Sequence, residues 1–294
     1  MFNRSKESSF TKKSFKLFRE GKLQEAIELY NEALKIEPNN AEAWHGKGVV
    51  LVALGNYRAA LEAYDKTLEI EPKKAETWYN KGNAFIKLSM YQEAIEAYDK
   101  TLDINPKDAK SWDNKGIALE ELGKYHEALE AYDKSLEIEP KRAEPWNNKG
   151  NVLEELGKYH EALEAYDKSL EIEPKSETWY NKGNAFIKLD MHQEALKCYE
   201  KAIKINPNDS DVWYNKGNIF GNLGRFQEAL KCYEKAIEIN PNFISAWTNR
   251  GHAFKDSGKY QEALQSFNKA LELDPNFEPA LKAKKEILEK NKED

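Results

Sequence analysis

Residues 41–74 read AEAWHGKGVVLVALGNYRAALEAYDKTLEIEPKK, and close variants of this stretch recur along the chain. Proline marks the recurrence at intervals of 34 residues, once 33, at Pro38, Pro72, Pro106, Pro140, Pro174, Pro207, Pro241 and Pro275. A tryptophan follows each of the first seven prolines: Trp44, Trp78, Trp112, Trp146, Trp179, Trp213 and Trp247. Self-similarity at a fixed period of this size predicts stacked units, each too small to bury its apolar face alone.

Each unit has the pattern of a helical hairpin. Apolar residues between Trp44 and Leu54 fall at three- and four-residue spacing, which is the helical period. Gly55 interrupts this run, and a second run of the same kind follows over residues 57–70. Pro72 cannot continue the second helix. The pattern therefore predicts a helix A, a tight turn and a helix B in every unit.

Small residues are expected where the two helices approach each other. Counting Ala41 as position 1, Gly48 stands at position 8 on helix A and Ala60 at position 20 on helix B. We expect a larger side chain at either position to separate the helices, since antiparallel helices pack about 8–10 Å apart. The single-residue deletion in the fifth unit follows Pro174, so we expect the loop to absorb it and the packing of Trp179 to stay regular.

This pattern resembles the tetratricopeptide repeat: Trp at position 4, Gly at 8, Ala at 20, an aromatic residue at 24 and Pro at 32. The resemblance implies an all-α fold, a right-handed α-solenoid of antiparallel helical hairpins whose concave groove is lined by the A helices. We predict an N-terminal tail at 1–6 and a solvating C-terminal capping helix with a tail at 278–294. Between them lie eight units, at 7–40, 41–74, 75–108, 109–142, 143–175, 176–209, 210–243 and 244–277.

Composition favours a non-catalytic protein without cofactor or metal. The net charge of −6 argues against nucleic acid and anionic membranes as partners, and no apolar run is long enough to span a membrane or act as a signal peptide. No phosphate-binding loop, Cys-x-x-Cys motif or nucleophile–base arrangement occurs. Cys198 and Cys232 occupy equivalent slots and are expected to remain free thiols. We therefore expect a cytoplasmic protein.

Position 7 departs from the family, which usually has leucine there. This chain has a basic residue in seven units: Lys47, Lys81, Lys115, Lys149, Lys182, Lys216 and Arg250. On a helical wheel the position lies on the side of the tryptophan. We expect an aliphatic stem over the tryptophan and a charge paired with the acidic residue at position 25 of the neighbouring helix B. The alternative is a basic column that binds a phosphorylated partner.

Asparagine recurs on the face opposite the tryptophan, which is the groove face in this family. Position 6 holds Asn80, Asn114, Asn148, Asn181, Asn215 and Asn249, and position 9 adds Asn83, Asn151, Asn184 and Asn218. Tyrosines at position 5 share this face: Tyr79, Tyr180 and Tyr214. Amides can donate to and accept from a peptide backbone, so these residues are candidate peptide contacts. The alternative is that asparagine is only a soluble filler of the repeat.

The sequence therefore predicts a protein-interaction scaffold that holds an extended peptide or partner segment. Acidic residues near the middle of the groove, such as Glu120, Glu121, Glu154 and Glu155, favour a neutral or basic partner. A self-associating repeat array is the alternative function. Because the asparagines point away from the tryptophan side, we expect alanine at Asn114, Asn148 and Asn181 to weaken binding and hardly change stability.

Overall fold

The computed structural model describes the backbone of residues 2–293 and the side chains of residues 10–289. Within these residues the chain forms helices and no strand, which confirms the all-α class. The helices are α1 (Phe2–Arg19), α2 (Leu23–Ile36), α3 (Ala41–Ala53), α4 (Tyr57–Ile70), α5 (Ala75–Lys87), α6 (Tyr91–Ile104), α7 (Ala109–Glu121), α8 (Tyr125–Ile138), α9 (Ala143–Glu155), α10 (Tyr159–Ile172), α11 (Ser176–Lys188), α12 (His192–Ile205), α13 (Ser210–Asn222), α14 (Phe226–Ile239), α15 (Ile244–Asp256), α16 (Tyr260–Leu273) and α17 (Glu278–Glu293).

Odd-numbered helices up to α15 are the A helices, and α1, α3, α5, α7, α11, α13 and α15 each pack against the B helix that follows. The chain divides into two compact bodies, an N-terminal half of residues 1–152 and a C-terminal half of residues 153–294. The predicted tail at 1–6 is not separate from the first hairpin, because α1 already begins at Phe2. No glycine or proline precedes Gly21, so nothing in the sequence stops the helix from extending toward the N-terminus. Met1 and Asp294 lie outside the described residues.

Position 8 is glycine because an aromatic ring covers it. A β-carbon added at Gly82 would lie 2.5 Å from Cε1 of Tyr98, the position 24 residue of the same hairpin, and the same holds for Gly116 and Tyr132. Both tyrosines are completely buried. The expected close approach is therefore present, but the group that excludes a larger side chain is the tyrosine ring rather than the backbone of helix B.

The turn between helices A and B requires a left-handed residue at position 15. Six glycines there have φ between 70° and 78°: Gly21, Gly55, Gly123, Gly157, Gly224 and Gly258. Two hairpins use Ser89 and Asp190 instead, both at φ 56°. A residue with a β-carbon is strained in this region by about 1–2 kcal/mol, so these two turns are less stable than the glycine turns.

Each tryptophan ties the start of its A helix to the preceding loop. Trp78 Nε1, for example, donates to the carbonyl of Pro72 at 2.9 Å, and five other indoles make the same bond. Among the described residues Trp179 is the exception, since the deletion leaves it five residues after Pro174 rather than six.

The loop absorbs the deletion, as predicted. Helix α11 still begins at Ser176 and spans 13 residues like the other A helices of residues 41–256. Trp179 packs against the core of the C-terminal half, with Lys182 Nζ 5.6 Å from its ring centre. The packing of Trp179 is therefore regular, and only its indole hydrogen bond differs.

An apolar cluster lies in each half of the chain. The N-terminal core includes Tyr30, Val50 and Tyr64, and the C-terminal core includes Tyr199 and Phe267. Cys198 and Cys232 are buried free thiols, which confirms the prediction, and burial raises the pKa of each to about 11. Thiolates are therefore disfavoured at neutral pH, and neither cysteine is a nucleophile in this environment.

Candidate functional site: an amide-lined groove

The basic residues at position 7 lie over the tryptophans, as expected from the sequence. Lys115 Nζ is 5.3 Å from the Trp112 ring centre and 2.6 Å from Oδ1 of Asp99, the position 25 residue of the preceding hairpin. The same pairing joins Lys81 to Asp65, Lys149 to Asp133, Lys182 to Asp167, Lys216 to Glu200 and Arg250 to Glu234. Six of the seven charges at position 7 are therefore already paired, which argues against a phosphate-binding column.

The groove asparagines form hydrogen-bonded sets that join successive A helices. In the N-terminal half, Nδ2 of Asn114 donates to Oδ1 of Asn83 at 2.9 Å and to the hydroxyl of Tyr79 at 3.3 Å. Tyr98 Oη donates to the same Oδ1 of Asn83 at 2.7 Å. The position 6 amide of one repeat is thus fixed by the position 5 and 9 residues of the repeat before it.

Two consecutive sets of the same kind lie in the C-terminal half. Asn215 Nδ2 donates to Tyr180 Oη at 2.9 Å, and Tyr199 Oη donates to Asn184 Oδ1 at 2.7 Å. One repeat later, Asn249 Nδ2 donates to Asn218 Oδ1 at 2.8 Å and to Tyr214 Oη at 3.1 Å. Tyr233 Oη donates to Asn218 Oδ1 at 2.9 Å and so completes the second set.

In the set of Asn218 and Asn249, these bonds leave one amide oxygen and one amino group available to a ligand. Both N–H groups of Asn249 and both lone pairs of Asn218 Oδ1 are engaged. Within the described residues, Oδ1 of Asn249 and Nδ2 of Asn218 have no hydrogen-bond partner, and neither atom is a buried, unsatisfied group. An oxygen and an amino group therefore face solvent in fixed orientations.

Two equivalent clefts expose these groups. A cleft of about 390 Å³ between α11 and α13 is lined by Asn184, Asn215 and Asn218, with Ile187 and Ile219 as apolar walls. The next, of about 360 Å³ between α13 and α15, repeats the same positions with Asn218 and Asn249. Volumes of this size hold parts of an extended peptide chain rather than a whole folded domain.

All thirteen residues predicted as peptide contacts are half-buried on A helices, and nine of them belong to these sets. Asn148 bonds instead to Asp113, at 3.4 Å from its Oδ1. The remaining three, Asn80, Asn151 and Asn181, occupy the same positions of their helices. The hydrogen bonds argue against the expectation that alanine hardly changes stability: Asn114 and Asn249 each bridge two repeats, so alanine there should also reduce stability.

Sequence reasoning missed the position 24 tyrosines as members of the sets. The signal was present: Tyr98, Tyr199 and Tyr233 accompany asparagine at position 9 of their repeats. In the eighth repeat, position 24 is Phe267 and position 9 is His252, whose ring packs against the phenylalanine at 5.2 Å. Where the hydroxyl is absent, its amide acceptor is absent too.

Two of the acidic residues predicted in the groove accept hydrogen bonds from tyrosine. Tyr132 Oη donates to Glu120 at 2.7 Å, and Tyr166 Oη donates to Glu154 at 3.1 Å. Burial raises the pKa of Glu154, and the Tyr166 bond and nearby Lys188 lower it in part. Glu154 also lines the larger of the two clefts.

The series of hydrogen-bonded sets is interrupted in the fourth repeat, where position 5 is Asp113 instead of tyrosine. Its side chain is 5% exposed, and Arg142 Nη2 lies 3.1 Å from its Oδ2. Burial raises the pKa of Asp113 to about 6, although Arg142 and Asn148 favour the charged form. The buried carboxylate therefore carries a desolvation cost that its partners do not fully offset.

Asp113→Asn is expected to remove a pH dependence of stability. Between about pH 4 and pH 6 the folded chain holds a proton on Asp113 that the unfolded chain has lost, so stability falls as pH rises, by at most about 1.4 kcal/mol per pH unit. Urea denaturation of wild type and variant at pH 4.5, 5.5 and 6.5 measures the difference. Asn147 holds the same slot one repeat later, so asparagine fits there. A constant difference between the two proteins would contradict the assignment.

Within residues whose placement is described, no helix is long and apolar enough to cross a membrane. In the same part of the chain, no group of three or more His, Cys, Asp or Glu side chains is arranged to hold a metal ion.

Comparison with known proteins agrees with this geometry. A tetratricopeptide repeat family model matches residues 75–108, 143–176, 176–209, 210–243 and 244–277, and related repeat models match 17–76, 97–130 and 118–157. A search of curated proteins found no match.

Solved structures with the same repeat are similar to this chain. The crystal structure of YrrB, a TPR protein with an unusual peptide-binding site, is 29% identical, covers 65% of this chain and 99% of its own, and has a TM-score of 0.56. A crystal structure of MamA is 30% identical, covers 54% of this chain and 94% of its own, with a TM-score of 0.52. The Cut9–Hcn1 structure is 17% identical, covers 90% of this chain and 52% of its own, and has a TM-score of 0.62. At this identity it shares the fold alone. The chain belongs to the tetratricopeptide repeat family and has its α-solenoid fold.

Proposed function

We propose that this protein is a non-catalytic scaffold that binds an extended segment of a partner protein along the groove face of its A helices. Tetratricopeptide repeats are protein-interaction modules in general, and the similar structure of YrrB is described as having a peptide-binding site. We expect the protein to act in the cytoplasm without a cofactor, where its two thiols stay reduced.

The observation that carries the proposal is the pair of open amide groups in the set of Asn218 and Asn249. A peptide unit has one N–H donor and one C=O acceptor, and this set offers one oxygen and one amino group, Asn249 Oδ1 and Asn218 Nδ2. The groups are already oriented by Tyr214 and Tyr233, so little side-chain entropy is lost when a ligand binds. Such contacts recognise the backbone and tolerate many ligand sequences.

The spacing of the sets suits an extended chain. Packed helices lie about 8–10 Å apart, and an extended peptide advances about 3.3 Å per residue, so each repeat corresponds to about three ligand residues. The two clefts of the C-terminal half would therefore contact about six consecutive residues. In this arrangement Asn184, Asn215, Asn218 and Asn249 contact the ligand, and the tyrosines of the sets position them.

The charges around these clefts favour a neutral or basic segment. Glu154 lines the larger cleft, and Glu177 and Asp211 are exposed at position 2 of the helices that form it. Lys188 is the only cation among the residues described as lining that cleft. An acidic segment would meet more like charges than opposite ones, which disfavours it.

Photo-crosslinking tests the location of the ligand. Asn222 is exposed and lines both clefts, whereas Lys235 is exposed on helix B of the same repeat. With p-benzoylphenylalanine at residue 222, we expect crosslinks to members of a library of random 12-residue peptides. With the same probe at residue 235, we expect few or none. Equal crosslinking at both sites, or crosslinking only between copies of the chain, would contradict the proposal.

A further inference from the structure

The first two A helices form a cleft of a different kind. It has a volume of about 570 Å³ and lies between α1 and α3, with Phe15, Phe18 and Val49 among its lining residues. The Phe15 side chain is 55% exposed, which is unusual for an aromatic ring on a helix that packs against a core. Neither position 6 nor position 9 carries an amide here, because these positions hold Lys12, Phe15, Gly46 and Val49.

Two exchanges relative to the later repeats lie at this cleft. Position 8 of the first repeat is Ser14 instead of glycine; it is completely buried and its hydroxyl donates to the carbonyl of Phe10 at 2.8 Å. The Tyr30 ring lies against the next A helix at Gly46. A β-carbon on Gly46 would lie 2.5 Å from Cζ of Tyr30. Asparagine, which fills position 6 in the following six repeats, cannot fit at Gly46 without moving this ring.

The rim of the cleft carries excess negative charge. Glu42 and Glu76 are exposed, and among the described residues Glu42 has no ion pair. Glu76 lies 3.6 Å from Nε2 of His45, but burial lowers the pKa of that histidine, so it is neutral at pH 7. Lys74 is paired with Glu71 at 3.2 Å, which leaves Lys12 as the opposing cation of the lining.

We propose that this cleft is a second docking site, which binds a leucine or phenylalanine side chain flanked by lysine or arginine in a partner peptide. The apolar side chain covers Phe15 and Val49 and removes their exposed surface from water. The flanking cation forms ion pairs with the exposed carboxylates of Glu42 and Glu76, neither of which is paired with a lysine or arginine among the described residues. This site recognises side chains of the ligand, whereas the amide sets recognise its backbone. The inference is therefore independent of the function proposed for Asn184 and Asn218.

Fluorescence anisotropy with three labelled 12-residue peptides tests this inference. The peptides share a Gly-Ser frame and carry Phe-Lys-Lys, Ala-Lys-Lys or Phe-Glu-Glu at the centre. We expect the Phe-Lys-Lys peptide to bind at least tenfold more tightly than the other two. Phe15→Ala should weaken its binding at least tenfold, and Glu42→Gln with Glu76→Gln should weaken it about threefold and reduce its dependence on salt.

The controls separate this site from the amide sets and from folding. Asn184→Asp with Asn218→Asp should keep the preference for the Phe-Lys-Lys peptide over the Ala-Lys-Lys peptide, because the amide sets contact the backbone that both peptides share. Because Phe15 is largely exposed, Phe15→Ala should keep the helical circular dichroism of the wild type. Equal affinity of wild type and Phe15→Ala, or of the Phe-Lys-Lys and Phe-Glu-Glu peptides, would overturn the inference. Sedimentation of a wild-type dimer that Phe15→Ala dissociates would show that a second copy occupies the cleft instead.

Discussion

Tyr98→Ala is expected to lower the free energy of unfolding by about 3–5 kcal/mol, the range for removal of a large buried aromatic side chain. Tyr98 is completely buried, and its ring lies over Gly82 of helix α5. Its loss leaves a cavity between α5 and α6 and removes one of the two donors to Asn83. Urea denaturation followed by circular dichroism measures the change.

Tyr98→Phe is the matched control, because it keeps the ring and removes only the hydroxyl. We expect it to cost about 0.5–1.5 kcal/mol, the net value of one hydrogen bond. The eighth repeat supports this expectation, since Phe267 covers Gly251 at the same place and is also completely buried. If Tyr98→Phe destabilised the protein as much as Tyr98→Ala, the hydrogen bond to Asn83 rather than the ring would hold the hairpin together.

Asn184→Asp combined with Asn218→Asp is expected to weaken binding of a neutral 12-residue peptide, taken from those crosslinked at residue 222, by at least about tenfold. Asp keeps the oxygen that accepts from Tyr199 or Tyr233, so the sets remain joined. The exchange replaces each amino group that faces the ligand with an oxygen, which cannot donate to a peptide carbonyl. A carbonyl left without its donor costs about 1–3 kcal/mol, and the two sites lie one repeat apart and should add approximately.

The chain supplies a control with the same substitutions and the same net charge. Asn206 and Asn240 are exposed in loops, and each accepts a backbone N–H two residues ahead. Asp274 makes the same bond in the eighth repeat, so Asn206→Asp with Asn240→Asp should leave the loops intact. We expect this variant to bind the peptide like the wild type. Equal weakening in both variants would mean that net charge, not the lost donors, governs affinity.

Local features of the sequence predicted the fold and the arrangement of the basic residues. The spacing of Trp112, Gly123 and Pro140 is enough to predict a hairpin, because helix period and turn chemistry depend on neighbouring residues. The pairing of Lys115 with Asp99 was also predictable, since a strict repeat places position 7 beside position 25 of the preceding hairpin. The residue at which α1 begins was not predictable, because the first turn of this helix has no acidic residue that would mark a helix start.

The candidate site was predicted only as a set of residues on one face. A helical wheel shows that Asn83 and Asn114 share the groove face, but it gives no distance between side chains of different helices. Whether such amides point to solvent or to each other depends on how closely successive A helices pack, and here the packing joins them in hydrogen bonds. The rings of Tyr98 and Tyr30 show the same limit: the first lies over Gly82 and the second against Gly46, and both contacts follow from packing between helices rather than from spacing along the chain.

The sequence by itself therefore determined the period, the hairpins and the residues that line the groove, since each of these follows from short-range spacing along the chain. Only the tertiary structure decided which amide atoms remain open to a ligand and that the first cleft is apolar. Those properties depend on contacts between side chains about 15 to 35 residues apart, such as Tyr98 with Asn83 and Asn114 with Tyr79. Their geometry is fixed by packing between helices, which no local pattern records.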